Sequence, residues 1–107
     1  VLTATHPDMF APPHETAGFA ELKSRVRMTR FGGDCYGYCL LAAGFVDLVV
    51  EAGLKPYDIV ALVPIIEAAG GVVTGWDGGP AAGGGRIVAA GDKRVHREAV
   101  AILGNTP

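Results

Sequence analysis

The chain has 107 residues, half of them hydrophobic and 19% charged, with a formal net charge of −2. That length suits one domain with an ordinary core, and the composition excludes a disordered tail. With no basic block, nucleic-acid binding through charge is excluded, and no apolar run approaches the roughly 20 residues of a membrane span.

The chain opens at Val1 rather than Met, and Val1–Thr5 reads like a strand already under way, so the chain is expected to be a fragment or processed piece of something longer. His6 to Pro13 is a loop, because its three prolines fix φ and restrict the residues before them. Thr16 to Ser24 is a helix with Glu15 near its start, and Val26 to Phe31 alternates as a half-buried strand does until Gly32-Gly33 breaks it. Asp34 then caps a helix running to Gly44 that is apolar nearly all round, which predicts burial on more than one side. Cys35 and Cys39 lie on that helix at i, i+4, a spacing that rarely meets disulfide geometry, so two buried, reduced thiols and a cytoplasmic protein are expected. Val46 to Glu51 is an interior strand, apolar apart from Asp47, which reads as a structural residue hydrogen-bonded at a turn, since a buried carboxylate must be paired.

A Gly/Pro loop leads from Glu51 to a helix over Tyr57–Ala69, in which Pro64 demands a kink or a late start. Val72–Thr74 is a short strand, Gly75–Pro80 a turn, Ala81–Gly85 a flexible loop, Arg86–Ala90 a strand and Lys93–Leu103 a final helix. The alternation predicts an α/β layered domain with a central mixed or partly parallel sheet flanked by helices. A carboxylate at a strand end (Glu51) and another at a helix start (Asp58) stand where such folds place binding groups, although Asp58 by spacing alone is a helix N-cap. Asp34 likewise reads as an N-cap, and Arg30 as a solvated residue at a strand end. Glu67, near a helix C-terminus, opposes the macrodipole and predicts a specific structural partner. His6, His14 and His96 share no metal spacing, so they are expected at the surface.

The run of Glu51, Tyr57-Asp58, Ala61 and Glu67-Ala68-Ala69-Gly70-Gly71 resembles the C-terminal signature of the inositol monophosphatase family. The usual form of that signature is Trp-Asp-x-Ala-Ala with a Glu-Ala-Gly-Gly ending. Here Tyr57 replaces the Trp, and Val60-Ala61-Leu62 stands in place of the Ala-Ala run. Ala42-Ala43-Gly44 with Asp47, Val88–Gly91 and the opening Thr3–Phe10 are similar to other parts of the same C-terminal half. Arg30-Phe31-Gly32-Gly33-Asp34-Cys35-Tyr36 and Gly53–Asp58 look closest to the branch acting on histidinol phosphate.

That resemblance implies the C-terminal half of a Mg²⁺-dependent phosphomonoesterase. The family's N-terminal half carries an Asp-Pro-x-Asp-Gly-Thr loop, and the one Asp-Gly pair here, Asp77-Gly78, lacks the preceding Asp-Pro. By resemblance Asp58 is a metal ligand, and Glu51, Asp34 and Arg30 are substrate-binding residues. No residue of this chain is assigned the catalytic step itself. The implied partners are a small phosphorylated alcohol, the N-terminal half and a second subunit in a homodimer. The other readings are a phosphatase for inositol 1-phosphate or a related sugar alcohol, and a non-catalytic assembly or binding module.

Overall fold

The computed structural model describes residues 1–11, 13–32 and 35–105. Asp34, with its expected capping and substrate roles, lies outside the described residues. Five strands form one sheet in the order β2-β1-β3-β5-β4: β1 is Leu2–Ala4, β2 Thr29–Phe31, β3 Leu48–Leu54, β4 Val72–Gly75 and β5 Gly85–Ala90. β1 runs parallel to both β2 and β3, whereas β5 is antiparallel to β3 and β4. The sheet is therefore mixed, as expected.

Alternation along the strands separates two cores. Leu2, Ala4, Leu48, Val50 and Ala52 point to one face, where α1 (His14–Ser24) contributes Phe19 and Leu22 and α5 (Lys93–Asn105) contributes Ala99 and Leu103. Trp76 and Phe10 complete that core. Val49, Val73, Ile87 and Ala89 point to the other face, against Tyr38 and Leu41 of α2 (Cys35–Ala42). Ile59 of α3 (Pro56–Ile59) and Ile66 of α4 (Val63–Ala68) close that second core. Helices thus cover both faces of the sheet, which gives a three-layer α/β domain.

Several local expectations need correction. The helix expected over Tyr57–Ala69 is split into α3 and α4, and Pro64 sits in the first turn of α4, where its missing N–H costs nothing. That is the late start rather than the kink. α2 is buried on one side only, through Gly37, Tyr38 and Leu41, and Tyr36 is 64% exposed. Cys35 and Cys39 are free thiols on its exposed side, not buried ones. Asp47 stands at the bend before β3, exposed rather than buried, and its carboxylate is paired as expected, 2.5 Å from the Val1 amino group. Glu67 is exposed on α4, and its carboxylate has no hydrogen bond or ion pair among the described residues.

β3 runs past Glu51 to Leu54, with a register shift against β5 between those two residues. Between those two positions β3 carries one residue more than β5, the count of a bulge, and Gly53 within it has φ +73°, a left-handed conformation that a glycine adopts without steric cost. Among the described residues, no helix is long and apolar enough to cross a membrane.

Candidate functional site

The parallel strands β1 and β3 place Thr5, just past the end of β1, beside Glu51. Binding sites in sheets of this kind lie outside the carboxyl ends of the strands. Glu51 occupies a position on the α2 face where an apolar residue would continue the core, and it is only 2% exposed. Such a carboxylate must be satisfied by hydrogen bonds or by a partner charge. Its Oε1 accepts from the Tyr38 hydroxyl at 2.8 Å. Its Oε2 accepts from the Thr5 backbone N–H at 2.9 Å and from the Thr5 hydroxyl.

All three donors are neutral. Among the described residues no Lys, Arg or His forms an ion pair with Glu51. Burial, followed by the adjacent Glu51 charge, pushes the Tyr38 phenol far above its usual range. Tyr38 therefore keeps its proton and donates. The site is a buried carboxylate held by uncharged donors.

Glu51, Tyr38 and Thr5 line a cleft of about 340 Å³ together with Asp58. Cys35, Met9 and Leu54 supply the rest of its wall. A smaller hollow of about 250 Å³ at the other end of the sheet is bordered by Asp47 and Asp92, but the Asp92 carboxylate is occupied by Arg94 and neither carboxylate is buried. The cleft at Glu51 is the better candidate because, among the described residues, it pairs a buried carboxylate with an accessible one.

Asp58 is not the N-cap of α3. Lys55 is, and Asp58 stands at the third helical position, where its Oδ2 accepts the Lys55 backbone N–H at 2.8 Å. That bond satisfies a helix-end donor and holds the carboxylate at the cleft. The side chain is exposed, and no other bond occupies its second oxygen among the described residues. A hard, accessible carboxylate oxygen fits a Mg²⁺ ion. Alone it could supply only one ligand, and no group of three or more His, Cys, Asp or Glu residues suited to a metal exists among the described residues.

Arg30 is not brought to the cleft. It lies on the edge strand β2, exposed, and its carbonyl accepts from the Thr3 hydroxyl at 3.1 Å. Tyr38, Thr5 and Cys35 were not singled out from the sequence as site residues. Thr5 is 46 residues from Glu51 and Tyr38 is 13 away, and no local pattern announces such contacts. His6 and His14 take no part, and His96 is half-buried on α5 with its ring nitrogen 2.7 Å from the Thr74 hydroxyl.

The layered sheet, with a carboxylate-lined cleft at its strand ends, is the architecture of a class of phosphatases. A profile of the inositol monophosphatase family matches residues 1–105. The chain belongs to that family. It is 44% identical over 111 residues to the chloroplastic bifunctional phosphatase IMPL2 of Arabidopsis thaliana, covering 95% of this chain and 32% of that protein. It is 40% identical over 86 residues to a histidinol-phosphatase of Streptomyces coelicolor, covering 80% of this chain and 32% of that protein. An inositol monophosphatase structure from Zymomonas mobilis superposes with a TM-score of 0.90 at 42% identity, covering 96% of this chain and 41% of that one. The chain thus spans about a third of the curated relatives' length.

Proposed function

We propose that this chain is the C-terminal lobe of a Mg²⁺-dependent phosphomonoesterase that hydrolyses histidinol phosphate to histidinol and phosphate. The observation that carries the proposal is Glu51, a buried carboxylate without a cationic partner among the described residues, in one cleft with the accessible carboxylate of Asp58. Histidinol carries an amine and an imidazole, both able to be cationic. A buried anion fixed by neutral donors is a fitting counterpart, because the incoming cation supplies the charge compensation that the protein withholds. The Streptomyces relative's activity, as its name gives it, supports the same substrate.

In this reading Glu51 binds and orients the alcohol portion, with Asp34 adding negative charge. Arg30, on the sheet edge and outside this chain's cleft, reaches a neighbouring subunit's site instead. Asp58 contributes one oxygen to a Mg²⁺ shell whose other ligands come from an N-terminal lobe. When bound, the metal activates water and neutralises phosphate charge. This chain's own share is to hold the organic half of the ester still, so that its phosphorus stays at a fixed distance from Asp58. The complete protein is expected to be a cytoplasmic homodimer, although the Arabidopsis relative is named as a chloroplast protein.

A second reading takes inositol 1-phosphate or another sugar-alcohol phosphate as substrate. The likeness to the Zymomonas inositol monophosphatase favours it, and Glu51 would then accept from hydroxyl groups. Phosphate release from histidinol phosphate and from inositol 1-phosphate, measured with Mg²⁺ on the full-length protein, separates the two. A higher kcat/KM for histidinol phosphate supports the proposal, and a higher value for inositol 1-phosphate overturns it. The 107-residue chain alone should release negligible phosphate; robust turnover would show that the metal site lies wholly within it.

A further inference from the structure

We infer that Tyr38 and Thr5 are positioning residues that leave Glu51 a single acceptor direction, so that the cleft takes a ligand offering one charged N–H rather than a paired set of donors. The inference rests on the proposal that Glu51 binds substrate. An ionised carboxylate offers about four acceptor positions, two on each oxygen. Oε2 has both filled by Thr5, through its N–H and its hydroxyl. Oε1 has one filled by Tyr38. One position on Oε1 is left for whatever enters the cleft that Glu51 lines.

The arrangement is anchored from three sides. Tyr38 is on α2 and only 2% exposed, Thr5 follows β1, and Glu51 sits within β3. None of the three can turn without disturbing a different element, so the open position is fixed in direction. An ammonium or an imidazolium N–H satisfies it with one bond. A guanidinium or a vicinal diol would need two acceptors for its best geometry and finds only one. Discrimination for a monocationic amino alcohol over a polyol then comes from the geometry of the carboxylate as well as from its charge.

Tyr38→Phe removes one oxygen and keeps the ring that packs in the core. It frees a second Oε1 position and lets the carboxylate rotate. In the full-length protein the KM for histidinol phosphate should rise about tenfold, the scale of one lost hydrogen bond to a charged group, with little change in kcat. The KM for inositol 1-phosphate should rise less or fall, so the preference between the two substrates narrows. Thr5→Val should raise the KM for histidinol phosphate in the same way, and Thr5→Ser, which keeps the hydroxyl, should restore it. A merely structural role for the two residues predicts equal losses on both substrates, and that result overturns the inference, as does an unchanged KM. If the wild-type protein shows no preference for histidinol phosphate, the underlying proposal fails first. If it shows the preference and Tyr38→Phe preserves it, the positioning role alone is overturned.

Discussion

The two faces of the sheet differ in the side chains they bury and in those they leave to solvent. On the α1/α5 face, Phe10 and Phe19 stack at 4.2 Å, and Trp76 is buried with its indole N–H donating to the Ile87 carbonyl at 3.2 Å. On the α2–α4 face the core is buried at its centre, but its outer side shows Tyr36, Phe45 (75% exposed), Tyr57, Val60 and Ile65 to solvent, where the first face shows Phe31 and a hollow of about 370 Å³ between α1 and α5. The α2–α4 face also holds Glu51 and the cleft. The difference separates labour: one face supplies folding free energy, and the other carries the polar groups together with apolar surface suited to covering by another lobe or subunit.

The sharpest way to break this contrast is at Trp76. Trp76→Ala should destabilise the chain by about 3–5 kcal/mol, since it deletes a large side chain from a closed core. Chemical denaturation of the 107-residue chain measures it, and a change below about 1 kcal/mol would mean that the face is less closed than its burial implies. Next in size, Asp58→Asn in the full-length protein should lower kcat/KM on the order of 10²–10³-fold, the effect of a metal ligand worth several kcal/mol. The amide oxygen can still accept the Lys55 N–H, so the melting temperature should move little. A loss of stability without a matching loss of activity would return Asp58 to a purely capping role.

Glu51→Gln should narrow the preference for histidinol phosphate over inositol 1-phosphate by about 10–100-fold, because it removes a charged acceptor. Equal rates before and after would detach the buried carboxylate from substrate choice. A smaller effect concerns pH. Burial holds the His96 imidazole below its usual pKa, so the unfolded chain binds a proton more readily than the folded one. The His96 contribution is therefore full above about pH 6.5 and declines as pH falls toward the lower folded-state value. Denaturation midpoints between pH 8 and 5 should decrease, and His96→Gln should flatten part of that slope. Smallest of all, Phe45→Ser should change the stability of the isolated chain by less than about 0.5 kcal/mol, since its ring is in water. A large loss would show that the second face is finished within this chain.

Much of the architecture was legible because each element is punctuated. Glycines and prolines bound the strands, and alternation or helical period fills the intervals, so all five strands and the helices α1, α2 and α5 were anticipated within a few residues. The misses have local causes. Ala52-Gly53 read as loop because a bulge admits a glycine that a regular strand would reject. The helix over Tyr57–Ala69 read as continuous because Pro64 fits either a kink or a first turn, and only the register of α4 decides. α2 read as buried all round because composition reports how apolar a helix is, not whether its neighbours belong to the same chain.

The candidate site was legible in part. Glu51 and Asp58 stood out by placement at a strand and a helix end, and the family signature pointed to the same pair. Asp58 was misplaced by three residues relative to the cap because Lys55, an unusual N-cap, carries no side-chain signal. Tyr38 and Thr5 were silent, since their contacts with Glu51 join segments that only the parallel pairing of β1 with β3 and the packing of α2 bring together.

The bulge in β3 has a consequence for how this chain tolerates changes in length. Side chains on a strand alternate sides, so inserting or deleting one residue between Leu48 and Glu51 would swing the carboxylate across the sheet into the hydrocarbon around Trp76. The extra residue is instead absorbed downstream at Gly53, where a change of count re-aims only the run into α3. Functional homologues should therefore show gaps after that glycine and none in the three residues before the carboxylate.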